Sequence, residues 1–245
     1  RTFGEGVQLT YRIVTDKEHK LTQDIESDEA IADVNAAQGS RKQAENWAAA
    51  VEFDSQLDPH LTFKNYIEGT SNKLPRSVGL SIAEHPATPQ FNPMFIYGPS
   101  GCGKTHLINA IGLHCKQLYP EKRVLYISAR LFQSQFVDAN LKHVINDFIR
   151  FYQTIDMLIV DDIQEWMNAV KTQDTFFHIF NHLFRNSKRI ILASDRPPVD
   201  LKGMNERLLT RFSCGLIAEM EKPNVELCID ILHNKIRRDG LHIPE

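Results

Sequence analysis

Residues Gly98 to Thr105 read GPSGCGKT: a glycine, four intervening positions, then Gly-Lys-Thr. That spacing is the phosphate-loop pattern. Glycines let a loop close around a chain of phosphates with its N–H groups turned inward. Gly98, Gly101 and Gly103 would shape the cradle. Lys104 would bring a charge to the β- and γ-phosphates of a nucleotide, and Thr105 a hydroxyl to Mg²⁺. Downstream, Asp161-Asp162 closes an apolar run, Met157 to Val160. An acid at the end of a buried strand, after a phosphate loop, is the Walker B arrangement. Asp161 would hold Mg²⁺ through water, and Asp162 would orient or activate the attacking water. An acid pair at a strand end is common by itself; its partnership with the loop gives it a chemical reading.

Other candidates carry less information alone. Ser194-Asp195-Arg196 ends another apolar run, where an acid can meet a γ-phosphate or simply form a turn. Arg207 and Arg211 lie four apart and share a helix face. That spacing suits either a solvated surface or an arginine that reaches a neighbouring subunit's nucleotide. His178 and His182 are also four apart, but Ile179 stands where a zinc protease needs Glu. Phe176, Phe177, Phe180, Leu183 and Phe184 make that stretch a core-packed helix, so a metal site is rejected. Cys102, Cys115, Cys214 and Cys228 form no C-x-x-C pair and read as free thiols.

The loop sits between Pro93–Tyr97, a short buried strand, and a helix over 104–118. Further strands are expected at Arg123–Ser128, Ile155–Val160, Arg189–Ser194 and Gly215–Glu219. Helices are expected from Ser71-Asn72 to Glu84, with Ser or Asn as cap and Pro75 in the first turn. More are expected in two pieces over Leu131–Tyr152 broken near Asn140, over Thr175–Phe184, and over Val225–Arg238 ending at Gly240. Alternating strands and helices predict a five-stranded parallel α/β sheet with its site at the strands' carboxyl ends. Val7–Val14 alternates like a half-buried strand. Residues 15–57 are polar and read as a flexible linker, with a short helix hinted at Ala44–Ala48. The chain carries 28 Lys and Arg against 31 Asp and Glu, a net charge of −3, so it is no basic coat for nucleic acid. Starting at Arg1 and stopping at Glu245, it reads as a fragment.

Together these residues resemble the bacterial chromosomal replication initiators, the DnaA family of AAA+ ATPases. The matching runs are Leu61–Asn72, Phe91–Gly98, Gly101–His106, Asp161–Gln164, Phe176–His178 with Phe180-Asn181, Ser194–Pro198, and Glu206–Leu208 with Arg211-Phe212. The DDIQ and SDRPP strings are more specific than the phosphate loop. Glu165-Trp166 departs from the two aromatics often found after DDIQ, and Pro75 is unusual in its helix.

The resemblance implies an AAA+ P-loop fold with a disordered N-terminal linker and the start of a helical lid. Its domains would be an N-terminal remnant over 1–14, a linker over 15–57, the nucleotide-binding core over 58–221 and the truncated lid over 222–245. It implies ATP or ADP with Mg²⁺ as cofactors, Asn72 and its neighbourhood beside the adenine, Asp195 as sensor 1 acid and Arg211 as arginine finger. Val137 and Lys171 fall at positions tied to single-stranded DNA. Implied partners are origin DNA, single-stranded here and duplex through a domain beyond Glu245, further copies of the chain, the replicative helicase through the N-terminal domain, and acidic phospholipids. The implied activity is slow ATP hydrolysis that switches assembly at the origin, in the cytoplasm at the nucleoid. A helicase loader or a related regulatory ATPase is the alternative.

Overall fold

The computed structural model describes residues 53–238 and Gly240. The strand expected at Val7–Val14 and the helix hinted at Ala44–Ala48 lie outside them. In chain order the elements are α1 (Lys73–Glu84), β1 (Met94–Tyr97), α2 (Lys104–Leu118), β2 (Val124–Ser128), α3 (Ala129–Leu141), α4 (Ile145–Gln153), β3 (Met157–Asp161), a 3-10 turn (Ile163–Trp166), α5 (Val170–Arg185), β4 (Arg189–Ser194), a second 3-10 turn (Pro198–Asp200), α6 (Glu206–Phe212), β5 (Leu216–Glu219) and α7 (Val225–Arg238). The five strands form one sheet in the order β2-β3-β4-β1-β5, with every neighbouring pair parallel.

Successive side chains of a strand point to opposite faces, and here both faces are covered. Leu158 and Val160 of β3, Phe95 of β1, and Ile190 and Leu192 of β4 enter one core with α3 to α6. Met157 and Ile159, Met94 and Ile96, and Ile191 and Ala193 enter the other, against α1 and α2. This two-sided burial is why these strands are continuous apolar runs. Phe132 of α3 is the hub of the first core. Its ring lies 4.9–5.6 Å from those of Phe148, Tyr152, Trp166 and Phe176. The α3–α4 pair hangs on this aromatic cluster, which fixes the insertion against β3 and α5.

Four sequence expectations are corrected. Residues 53–57, assigned to the linker, pack on the core: Tyr126 N donates to Ser55 O at the β2 edge, and Leu57 packs against Gly112. Asn72 occupies the cap position of α1 without capping it. Its side chain turns back, accepting from Gly69 N and donating to Ile67 O. The α3–α4 break falls at 142–144, where His143 has φ 58°, rather than at Asn140. α5 begins at Val170, five residues earlier than its apolar stripe, because a buried glutamine, Gln173, ties its first turn to the core.

One fold-holding residue gave no sequence signal. Arg189 opens β4, is 1% exposed, and donates to the carbonyls of Pro86, Thr88 and Gln90. It staples the α1–β1 connection, and burial pushes its guanidinium down to about 10.

Phe132→Ala should destabilise the chain by about 3–5 kcal/mol, the usual cost of emptying a large aromatic site. Urea unfolding followed by tryptophan fluorescence measures it; a loss below about 1 kcal/mol would show that the insertion is held elsewhere.

Candidate functional site

The sheet order brings three distant sequence segments together. β4 lies between β1 and β3. The loop after β1, the acids ending β3 and the polar end of β4 therefore meet at one edge of the sheet, where Tyr97 stands opposite Ser194 in register. The carboxyl ends of parallel strands are where such folds bind ligands.

The phosphate loop takes its expected shape. Gly101 and Gly103 have φ of +81° and +98°, a region that favours glycine. A Cβ at Gly101 would meet nothing within 4 Å, so backbone conformation rather than space selects glycine there. Gly103 is the residue before α2, whose first N–H groups have no intrahelical partner and face the loop. Gly98 is a different case. A Cβ there would lie 2.1 Å from the Met220 carbonyl oxygen, and its N–H donates to Ser194 O. Its glycine requirement comes from chain crossing, and its amide is already engaged. Lys104 is 8% exposed and donates to the carbonyls of Gly98 at 2.7 Å and Pro99 at 3.1 Å. The ammonium thus sits within the loop.

Asp161 is the most constrained acid. It is 2% exposed, and three donors converge on it. Thr105 Oγ1 donates to Oδ2 at 2.6 Å, Tyr126 OH to Oδ2 at 3.1 Å and Asp162 N to Oδ1 at 2.9 Å. Burial raises its pKa, with the nearby Asp162 adding to the rise, while the Thr105 and Tyr126 hydroxyls and the Asp162 amide oppose it. Thr105 and Asp161, each expected at Mg²⁺, are in direct contact with one another. The described residues hold no group of three His, Cys, Asp or Glu able to bind a metal alone. A hydroxyl and one buried carboxylate do fit Mg²⁺ that takes its other ligands from phosphate and water.

Asp162 adopts φ 57° and accepts from Gln164 Nε2 at 3.0 Å. Gln164 Oε1 accepts from Asp195 N at 3.2 Å. The Asp195 carboxylate is held by both forks of Arg196, at 2.8 and 2.7 Å. Arg196 keeps Asp195 below the usual carboxylate range, and Lys104 adds to the effect.

A cavity of about 380 Å³ opens beside the loop. Tyr66, Asn72, Gly103, His106, Leu227 and Lys235 line it with others. Its size and its mix of rings and polar groups suit a nucleoside. The Tyr66 hydroxyl is buried beside Asn72 without a hydrogen bond of normal geometry, and burial pushes its pKa upward. His106 stacks edge-on against Tyr66 with ring centroids 5.1 Å apart, and burial lowers its pKa. Asn72 thus lines the cavity. Tyr126, Gln164 and His106 were not singled out from sequence. Each is a polar group given its place by what packs on it; Gln164 and His106 lay at the ends of recognised strings, whereas Tyr126 lay in none. Arg211 is not among the residues lining the cavity; it is half-buried on α6, whose Leu208 and Phe212 anchor the helix in the core. Val137, 46% exposed on α3, and Lys171, exposed in the first turn of α5, stay at the surface.

The glycines give a test. Gly98→Ala should lower the melting temperature sharply, because Met220 must move. Gly101→Ala should cost only about 1 kcal/mol, a φ penalty. Equal melting shifts would remove the distinction drawn between them.

Comparison with known proteins agrees with this geometry. The bacterial DnaA ATPase domain family matches residues 57–219. The chain is 52% identical over 250 residues to the chromosomal replication initiator protein DnaA of Bacteroides thetaiotaomicron, covering all of this chain and 53% of that protein. It is 49% identical over 195 residues to that of Flavobacterium psychrophilum, covering 80% of this chain and 41% of that one. The chain spans about half the length of the curated relatives it matches. Domain III of the Thermotoga maritima replication initiation protein DnaA superposes with a TM-score of 0.74 at 36% identity, covering 77% of this chain and 78% of that one. A replication initiator DnaA bound to AMPPCP and single-stranded DNA gives 0.72 at 38%, covering 78% and 58%. The DnaC helicase loader, at 14% identity and 0.58, shares the fold alone. With a phosphate loop, a buried acid on its threonine and a polar strand end assembled on this sheet, the chain belongs to the DnaA family of bacterial replication initiators and carries its P-loop ATPase domain.

Proposed function

We propose that this chain is the nucleotide-reading part of an origin-binding initiator, in which ATP favours assembly on DNA and slow hydrolysis resets it. The observation that carries this reading is the division of parts. The phosphate loop, Asp161 and the cavity sit together on one sheet edge, whereas Arg211 lies outside that cavity on α6. A site with its own lysine and acids, and an arginine displayed elsewhere, suits a nucleotide read by the next subunit. ATP and ADP differ by the γ-phosphate, and only such a differential contact can shift an assembly equilibrium.

In this reading Thr105 and Asp161 hold Mg²⁺, which would neutralise charge on the phosphates. Lys104 and the first amides of α2 take the phosphate chain, with Gly101 and Gly103 allowing the turn. Asp162 orients the attacking water and Asp195 reads the γ-phosphate. Tyr66, Asn72 and His106 border the base. The α3–α4 insertion, with Val137, and Lys171 at the start of α5, contact single-stranded DNA. An apolar side chain and a cation suit sugar packing and phosphate pairing. The insertion exposes further apolar side chains at Leu141 and Val144, 71% and 41% exposed. The relative bound to AMPPCP and single-stranded DNA supports both parts of this reading. Helix α7 begins the lid, and helicase loading belongs to the whole protein.

Two substitutions separate the parts. Lys104→Ala should abolish tight ATP binding while the circular dichroism spectrum stays native; unchanged affinity by fluorescent-nucleotide titration would remove the phosphate-loop assignment. Arg211→Ala should bind ATP as the native chain does but fail to assemble on single-stranded DNA in ATP. Native-like assembly of that variant in a sedimentation assay would mean that Arg211 is not the trans-acting arginine.

A further inference from the structure

We infer that Gln164 is a positioning residue for ATP hydrolysis: its side-chain amide bridges the Asp162 carboxylate and the backbone of the β4 end, fixing the acid that aligns the attacking water. The inference rests on the reading of Asp162 as the water-orienting acid. Gln164 Nε2 donates to Asp162 Oδ1 at 3.0 Å, while Oε1 accepts from Asp195 N at 3.2 Å. One side chain thus joins the ends of β3 and β4, which are adjacent in the sheet.

The need for such a brace follows from the local backbone. Asp162 has φ 57° and ψ 43° and stands between β3 and a short 3-10 turn. A non-glycine residue in that region is uncommon and held by its surroundings. Its neighbour Asp161 is locked by three donors, whereas among the described residues the Asp162 carboxylate accepts one side-chain hydrogen bond, from Gln164. Without that bond the carboxylate can rotate. Hydrolysis requires a water oxygen to bond to the γ-phosphorus as the bond to the β–γ bridging oxygen breaks, its electron pair staying on ADP. The water's proton passes to Asp162 and then to solvent. Misplacing the orienting group by about 1 Å is enough to slow such a step about a hundredfold.

Gln164 is itself well placed to be held. The 3-10 turn that carries it is anchored by Trp166, which is fully buried and donates from Nε1 to Ala129 O at 2.7 Å. The same residue's carbonyl is tied by Gln173, which donates to Trp166 O at 2.7 Å. The glutamine therefore projects from a rigid support, which is what a positioning residue requires.

The test uses Gln164→Met and Gln164→Glu in the full chain, with nucleotide affinity and single-turnover hydrolysis measured separately. Gln164 is half-buried, so Met keeps the side chain's length and bulk without either hydrogen bond. Met should bind ATP within about twofold of native but hydrolyse it roughly ten- to a hundredfold more slowly. Glu keeps the acceptor for Asp195 N but sets a carboxylate against Asp162. The charged groups meeting there are Asp161 and Asp162 from the β3 end, Asp195 and Arg196 from the β4 end, and Lys104 from α2. The paired acids raise the pKa of the new Glu. Its hydrolysis rate relative to the native chain should therefore recover as pH falls, because the protonated acid donates to Asp162 again. Native hydrolysis by Met, or a Glu variant whose relative rate is flat with pH, would overturn the inference. Loss of ATP binding in both variants would also overturn it, assigning Gln164 to the integrity of the pocket. If the native chain binds ATP and hydrolyses it but Asp162→Asn does so equally well, the underlying reading of Asp162 fails instead.

Discussion

A single buried carboxylate organises this site. Asp161 lies almost wholly out of solvent, and a buried acid is tolerated only when its oxygens are met. Thr105, Tyr126 and the Asp162 amide meet them. Those three donors come from α2, β2 and the turn after β3. Satisfying one acid therefore sets the phosphate loop, the outer strand and the acidic turn in mutual register. Moving any of the three elements would leave a buried polar group unpaired, at a cost of about 1–3 kcal/mol. The loop is consequently placed by the sheet before any phosphate meets it.

The same economy appears on the far side of the acids. Trp166 and Gln173 carry the turn after β3 to two other elements. Trp166 reaches the start of α3 through Ala129 O, while Gln173 reaches the α6 approach by donating to Gly203 O and accepting from Asn205 N. Asn205 caps α6 by accepting from Arg207 N. The acidic turn is thus linked to the helix bearing Val137 through a buried hydrogen bond, and to the cap of the helix bearing Arg211 through part-buried ones. A contiguous set of contacts is not by itself evidence of energetic coupling. It does mean that these surfaces share one rigid support, so their relative placement is a property of the folded core.

Charge is distributed in keeping with that layout. Lys104 is turned onto the loop's own carbonyls, and Arg196 engages the acid at the β4 end. The Arg196–Asp195 pair is partly solvated, with side chains 42% and 35% exposed, so it contributes little to stability. Its consequence is local: Asp195 remains ionised and pre-oriented at a strand end beside the loop. Arg189, by contrast, spends its charge on three carbonyls in the interior and acts as a structural staple. Two arginines seven residues apart on one strand and its exit serve different ends because one is buried and the other is not.

The sequence determined the chemistry and the kind of fold. Gly101, Gly103, Lys104 and Thr105 are a local motif whose conformation depends on neighbours in the chain, so spacing alone reads it. The apolar runs of β3 and β4 declared strands covered on both faces, because such strands cannot alternate. What the sequence left undetermined were facts about distance through space. The order β2-β3-β4-β1-β5 decides which strand ends meet, and no local pattern encodes it. Gly98 is read from spacing as part of the phosphate loop, but that the Met220 carbonyl, far along the chain, forbids a side chain there is visible only in the fold. Asn72 carried the composition of a cap and instead closed its own loop. Gln164 and Tyr126 acquired their roles only when folding set Asp162, Asp195 and Asp161 within reach of their polar atoms. A hydrogen bond between strand ends is a tertiary event, and only the folded sheet could supply it.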